Sequence, residues 1–197
     1  MTNQPETLGG RLPLLDAQKL TSGQKEIYDL LDNTLIPWAA SSGFQSKTET
    51  GKFIGPFNPL LFSPGITRSF VQLQIDEAKN TTLTERVRQV IILTVGAVWQ
   101  SDYERYAHAA VARKAGISEE AIRTLMAGGL PDDLSEPEKL AQRYTLQLAT
   151  EHRIDTALYH EAEQAFGQEG LVNLAYLAGI YHLVCGLLNS FEIPAPA

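Results

Sequence analysis

The residues best suited to chemistry stand close together in the middle of the chain, at Ser101, Glu104 and His108. Spacings of three and four place side chains on one face of an α-helix, so these three groups can meet. A carboxylate one turn from an imidazole can raise the pKa of the imidazole, which then exchanges protons near neutral pH. The pattern therefore predicts an acid–base site, with His108 as general acid and Glu104 orienting it.

A simpler interpretation of the same residues stays open. Ser101 with Glu104, like Thr82 with Glu85, matches the capping box, in which a hydroxyl and a carboxylate satisfy free amides of the first helical turn. Glu104 would then cap its own helix, and His108 would be a buried polar group with hydrogen-bond partners. Besides capping, Ser101 could bind a substrate carboxylate at the helix start.

Two helices must position this site, one over about 82–100 and the next over about 101–116. The second half of the first helix is almost wholly apolar, which predicts that it is buried. Gln89 is expected to hydrogen-bond across to the second helix, in a structural or substrate-orienting role. Trp99 and Tyr103 could line a substrate pocket, although aromatic side chains at a helix junction more often belong to the core.

The rest of the chain also favours helices. Capping residues precede helical spacing of apolar residues in six further segments, over about 22–35, 64–78, 118–128, 135–150, 155–167 and 168–190. Pro37 is expected to end the first of these helices, and the polar stretch over 45–55 is a candidate lid. The two prolines of 55–62 predict a shaped turn. Because no segment alternates with period two, we predict an all-α helical bundle of seven or eight helices.

The 197 residues suffice for a single domain, in which an arm and helix over 1–50 pack on a core over 51–194. The net charge of −7 is interspersed and leaves no basic stripe, which argues against a nucleic-acid partner. The last helix is apolar around its circumference, which predicts a homo-oligomer. Its apolar run over 171–188 approaches membrane-spanning length, but we predict a buried helix and no membrane association.

The single cysteine, Cys185, rules out an intrachain disulfide, a Cys-x-x-Cys pair and a cysteine-rich metal site. His182 shares a helix face with Cys185, but no further ligands accompany them, so neither a metal nor another cofactor is predicted. Residues 1–13 lack the basic and apolar stretches of a secretory signal. These features are typical of a reducing compartment, and we predict a cytoplasmic protein.

The segment from Leu83 to Ile122 resembles the carboxymuconolactone decarboxylase family, which includes the alkylhydroperoxidase D-type proteins. The matching residues are Arg88-Gln89, Ser101, Tyr103-Glu104, His108 and the run Ala112-x-x-x-Gly116-Ile117-Ser118-Glu119-Glu120. Similarity to longer family members extends over about 51–194. The resemblance implies an alkylhydroperoxidase D-like bundle, a homotrimer or hexamer, and a small-molecule substrate.

Two departures from the family pattern narrow the function. Peroxidase members carry Cys-x-x-Cys where this chain has Ser101 and Glu104, so thiol peroxidase activity is disfavoured. The upstream glutamate of the family is Gln89 here, which relays no proton at neutral pH. Two interpretations stay open: an enzyme that decarboxylates or otherwise converts a small organic acid or lactone at His108, and a family scaffold that binds a ligand at most, without catalysis.

Overall fold

The structure, a computed structural model, describes residues 7–197 and is all-α in this range. The helices are α1 (Ser22–Asn33), α2 (Leu35–Ser42), α3 (Phe57–Leu60), α4 (Pro64–Asn80), α5 (Glu85–Val98), α6 (Asp102–Lys114), α7 (Glu119–Met126), α8 (Glu136–Glu151) and α9 (Thr156–Ser190). Since α3 is a single turn, eight longer helices make up the described part, as predicted. The backbone of α9 breaks at Gly167, where the sequence predicted one helix to end.

Helix α5 lies at the centre of the bundle and packs against α6, α7, α8 and α9. Burial was predicted for the run from Val90 to Trp99. It is confirmed for Val90, Ile91, Ile92, Leu93 and Val95, but Trp99 at the end of the run is exposed. Burial of each such side chain contributes about 1.5–3 kcal/mol. Helix α5 is therefore held in place by its buried side chains, and α6 packs against it.

The start of α5 differs from the prediction. Thr84 is the N-cap, and its Oγ1 accepts a hydrogen bond from the Val87 amide. Thr82 instead accepts a hydrogen bond from the Asn173 amide group on α9. Leu83, between the two threonines, is buried in the core. With Leu83 buried in the core, α5 starts two residues later than predicted. Thr82, the predicted N-cap, is hydrogen-bonded to α9 instead.

Other start signals are confirmed. The Ser135 amide donates to Oε2 of Glu138 at 2.9 Å, as a capping box requires, and Glu138 also accepts from Arg86. Ser118 caps α7 and Asp155 caps α9 through side-chain oxygens. At these three positions the spacing of the capping residues was sufficient to predict where the helix starts.

The first predicted helix, over about 22–35, is present as α1, but the expectation that Pro37 ends the helical segment was wrong. The chain leaves helical geometry at Thr34, so that α1 ends at Asn33 and α2 follows at once. Pro37 lies in the first turn of α2, where an amide has no intrahelical partner, so the proline is tolerated. The helix continues to Gly43, whose φ of 87° provides a left-handed C-cap. This extra helix carries side chains to the site described below.

The stretch over 45–55 is a loop, as predicted, but its ends are held by α6. The hydroxyl of Tyr103 donates to the Gln45 carbonyl at 2.6 Å. Phe53 and Ile54 are fully buried. Gly55 has a φ of 61°, and a Cβ there would lie 2.1 Å from Cζ of Tyr103. Because movement of the whole loop would expose two core residues, this packing argues against the predicted lid.

The N-terminal arm is described from residue 7 onward, and residues 1–6 of the predicted arm lie outside that range. Leu14 and Leu15 pack against the core. Asn58 fixes this segment, because it accepts from the Leu15 amide and donates to the Pro13 carbonyl. The predicted boundary at residue 50 stays a prediction.

Helix α9 is the one helix in the described range that could cross a membrane by length and composition. Of its most apolar window, 44% is buried inside the protein. The absence of membrane association stays a prediction.

Candidate active site

A cavity of about 680 Å³ lies between α2, α4, α5, α6 and α9. Apolar side chains make up much of its lining, among them Leu35, Trp38, Phe44, Phe57, Leu60, Phe70, Ile180 and Val184. Polar groups gather in one part of the lining and include Arg88, Gln89, Glu104, His108 and Tyr181. A concave apolar pocket with a few polar groups is the usual form of a small-molecule site.

Glu104 and His108 project from α6 into this cavity, one turn apart and almost fully buried. Nε2 of His108 lies 3.2 Å from Oε1 of Glu104. That carboxyl oxygen is without a hydrogen-bond partner. A buried polar atom without a partner calls for a functional explanation, and here it faces a cavity that can hold a ligand.

A chain of hydrogen bonds orients His108 from its other side. Nε2 of Gln89 donates to Glu85 at 2.7 Å, and Oε1 of Gln89 lies 2.8 Å from Nδ1 of His108. A carboxylate only accepts, so the amide nitrogen of Gln89 must face Glu85 and its oxygen must face the imidazole. Nδ1 of His108 therefore carries the proton, and its Nε2 lone pair faces Glu104. Gln89 thus orients the imidazole, within the range of roles expected for it.

Burial changes the protonation expected from the sequence. It raises the pKa of Glu104 to about 8, because a charged carboxylate is poorly solvated there. Burial, followed by the positive charge of Arg88, lowers the pKa of His108 to about 3. The predicted rise in the pKa of His108 was wrong, because burial disfavours both charged forms. At neutral pH the transferable proton is on Glu104.

Arg88 joins α4 to α5 beside the pair. Its guanidinium donates to Glu77 on α4, and its Nε lies 3.4 Å from Oε2 of Glu85. Burial lowers the pKa of Arg88, but the hydrogen bond and charge of Glu77 outweigh it, so the pKa is raised overall. The arginine is permanently charged, and that charge is already neutralised.

Two aromatic residues at the site were missed by the sequence analysis. The ring of Tyr181, on α9, stands edge-on to the His108 ring at a centroid distance of 4.9 Å, and Trp38, on α2, lies at 6.1 Å. Burial raises the pKa of Tyr181 well above its usual value, so the hydroxyl keeps its proton. These residues are about 70 positions from His108, and no local pattern could have connected them.

The other predicted site residues occupy different places. Tyr103 lines the cavity, but its hydroxyl is engaged by the Gln45 carbonyl. Ser101 is fully buried, makes no side-chain cap bond and does not line the cavity. Trp99 lies away from the cavity, where its Nε1 donates to Nδ1 of His182 at 2.6 Å. The structure therefore gathers Gln89, Tyr103, Glu104 and His108, but not Ser101 or Trp99.

Within residues 7–197, no three side chains of His, Cys, Asp or Glu come together as a metal ion would require. Cys185 is fully buried and does not line the cavity. Burial raises the pKa of its thiol, which therefore stays protonated and unreactive.

The fold and the cavity define an alkylhydroperoxidase D-like helical protein with a carboxyl–imidazole pair in an apolar pocket. Residues 64–146, which include Gln89, Glu104 and His108, match the Carboxymuconolactone decarboxylase family. The chain is similar to this family over these residues and lacks a Cys-x-x-Cys pair. No protein of curated function matches the sequence.

Solved structures share the fold over most of the chain. An alkylhydroperoxidase core described as an uncharacterized peroxidase-related protein, from Ralstonia eutropha JMP134, is 18% identical, with a TM-score of 0.73 over 95% of this chain and 93% of its own. A peroxidase-related protein from Silicibacter sp. TM1040 is 14% identical, with a TM-score of 0.73 over 100% of this chain and 96% of its own. A debrominase in complex with 2,3,4-tribromopyrrole is 12% identical, with a TM-score of 0.68 over 88% and 89%. At these identities the similarity shows the fold alone.

Proposed function

We propose that the protein is a carboxymuconolactone decarboxylase-like enzyme that converts a small organic acid or lactone by proton transfer at Glu104 and His108. One observation carries the proposal. The Oε1 atom of Glu104, buried and without a hydrogen bond, borders a cavity and lies 3.2 Å from the imidazole.

The roles of the two residues differ from those expected from the sequence. A carbon that loses carbon dioxide, or an enolate that isomerises, must gain a proton. Glu104 holds its proton at neutral pH and gives it to that carbon. In an isomerisation, Nε2 of His108 accepts the proton that leaves the substrate and then passes it to the Glu104 carboxylate. In a decarboxylation, the Glu104 carboxylate regains its proton from solvent. Tyr181 offers a second neutral donor, suited to the oxygen on which negative charge develops.

The test is turnover of a panel of lactones and carboxylated lactones, followed by absorbance and by carbon dioxide release. Glu104→Gln should lower kcat by about 10²–10⁴-fold, the usual contribution of a positioned proton donor. The melting temperature should change little, since an amide has the shape of the neutral carboxyl. A matched control is Glu119→Gln, which breaks an exposed ion pair with Arg113. Unchanged turnover in Glu104→Gln would show that the pair is not catalytic.

The alternative proposal is a ligand-binding scaffold without catalysis. It is supported by Gln89, which cannot relay a proton as an acid would, and by the absence of a reactive thiol. It predicts that wild-type protein binds lactones in the cavity and leaves them unchanged under every condition tested. Peroxidase activity finds no support, because the one cysteine is buried with a raised thiol pKa.

We also propose that the protein assembles with copies of itself, as a trimer or hexamer. An apolar strip on α9 and α4 stays exposed, with Val172, Tyr176 and Leu183 each about half accessible and Leu73 beside them. Contiguous exposed apolar surface of this kind usually marks an interface. A second copy is the expected occupant, because the strip continues the apolar core helix and carries no charged side chain in its groove.

A further inference from the structure

The charges at the polar end of the cavity are already paired within the protein. Arg88 binds Glu77 and lies beside Glu85, so its charge is not available to a ligand. We infer that the cavity takes an uncharged cyclic carbonyl compound, such as a lactone, and rejects its carboxylated counterpart. This inference rests on the proposed function and narrows it to the isomerisation of an uncharged substrate, without release of carbon dioxide.

The ion pair that neutralises Arg88 is itself buried. The side chains of Arg88 and Glu77 are 11% and 6% exposed. A ligand carboxylate that took Arg88 would leave Glu77 charged and unpaired away from water, which is strongly unfavourable. A water-exposed ion pair would exchange its partner at little cost, but this one would not.

The remaining cation in the cavity lining does not replace Arg88. Lys79 stands in the last turn of α4 and is exposed to solvent. An ammonium group in water attracts a carboxylate only weakly, since water and salt screen the interaction. A carboxylate reaching into the pocket would lie beyond this group, among the apolar walls.

Two polar groups of the cavity lining, the Tyr181 hydroxyl and the Glu104 carboxyl, are suited to bind an uncharged ligand oxygen. The Tyr181 ring stands edge-on to the His108 ring at a centroid distance of 4.9 Å, and Oε1 of Glu104 lies 3.2 Å from Nε2 of the same imidazole. Both are neutral donors at neutral pH, because burial raises the pKa of each. A carbonyl oxygen accepts from such donors without bringing a charge into the cavity.

The experiment compares coumarin with coumarin-3-carboxylate, a lactone and its acid on the same ring, by isothermal titration at pH 7. Wild-type protein should bind coumarin at least about tenfold more tightly, since the acid must strip water from its charge without gaining a partner. Glu77→Gln removes the buried partner of Arg88 and leaves only the exposed Glu85 beside it, so it should raise affinity for coumarin-3-carboxylate by about tenfold and leave coumarin nearly unchanged. Glu26→Gln, which breaks an exposed ion pair with Arg68, is the control and should alter neither affinity.

The wild-type comparison decides the inference even if Glu77→Gln fails to fold. Equal or tighter binding of coumarin-3-carboxylate overturns the inference and leaves the proposed function standing. Binding of neither compound overturns both, because the proposed function requires the cavity to accept a lactone or an organic acid.

Discussion

Nε2 of His108 lies 3.2 Å from Oε1 of Glu104 inside the bundle, and burial moves their pKa values in opposite directions. A carboxyl and an imidazole at this distance would form an ion pair on a surface. Here neither charge is solvated, so both groups are neutral near pH 7 and the proton stays on the acid.

The first prediction follows from the raised pKa of Glu104. Its folded pKa of about 8 lies above the ordinary value of 4.5, so its contribution to stability is fully present below pH 4.5 and lost as pH rises through 8. The midpoint of urea unfolding should therefore fall between pH 5 and 9 in wild-type protein and fall less in Glu104→Gln. Glu119→Gln, whose carboxyl has a lowered pKa, should keep the wild-type slope. The same slope in all three proteins would show that Glu104 is not a buried acid.

His108 gives the second pH prediction, with the opposite sign. Its folded pKa lies below the ordinary value of 6.5, so its contribution is present above pH 6.5 and lost as pH falls toward 3. His108→Asn should remove this loss, and the difference from wild type should narrow as the pH is lowered from 7 to 4. His160→Asn, at an exposed position, serves as control. A difference independent of pH would mean that His108 is not held neutral.

The third prediction concerns the tautomer of His108. Because the oxygen of Gln89 faces Nδ1, nitrogen-15 NMR should show the proton on Nδ1 at pH 7. Comparison with His108→Asn assigns this ring among the four histidines of the chain. Gln89→Leu removes the acceptor and should shift the ring toward the Nε2–H form that is usual in water. Protonation on Nε2 in wild-type protein would contradict the hydrogen-bond chain.

The fourth prediction concerns the loop over 45–55. Gly55→Ala would drive a Cβ into the ring of Tyr103 at a positive φ, and should cost at least about 2 kcal/mol of unfolding free energy. Gly51→Ala has a φ of 82° and open space around the Cβ, so it should cost only about 1–2 kcal/mol. Urea unfolding measures both, and equal losses would show that the contact with Tyr103 is unimportant.

The fifth prediction tests self-association. Light scattering coupled to size exclusion should give a mass that is a multiple of 21.7 kDa. Tyr176→Asp places a charge in the exposed apolar strip and should release monomers. Tyr159→Asp, on the earlier half of α9, should leave the assembly unchanged. A monomeric wild type would refute the proposed interface.

The helices and the pairing of Glu104 with His108 could be predicted, because the sequence signals for both are local. Apolar spacing places α5 in the core, and the spacing of four places Glu104 beside His108. Tyr181 and Trp38 could not be found, since they reach the site only through the packing of α9 and α2 on α6. The Ser101–Glu104 spacing predicted a cap, but tertiary burial turns the Glu104 carboxyl toward His108 instead. The cytoplasmic location stays a prediction.

Cys185, on α9, is fully buried, and burial raises the pKa of its thiol. An alkylating reagent therefore cannot reach it without an opening of the core, and the chain has no other thiol to obscure the result. The rate of thiol labelling in native buffer consequently reports how often the core opens. The Cys185 thiol is therefore a built-in probe of core opening. Its labelling rate can be compared between wild-type protein and each variant above without an added label.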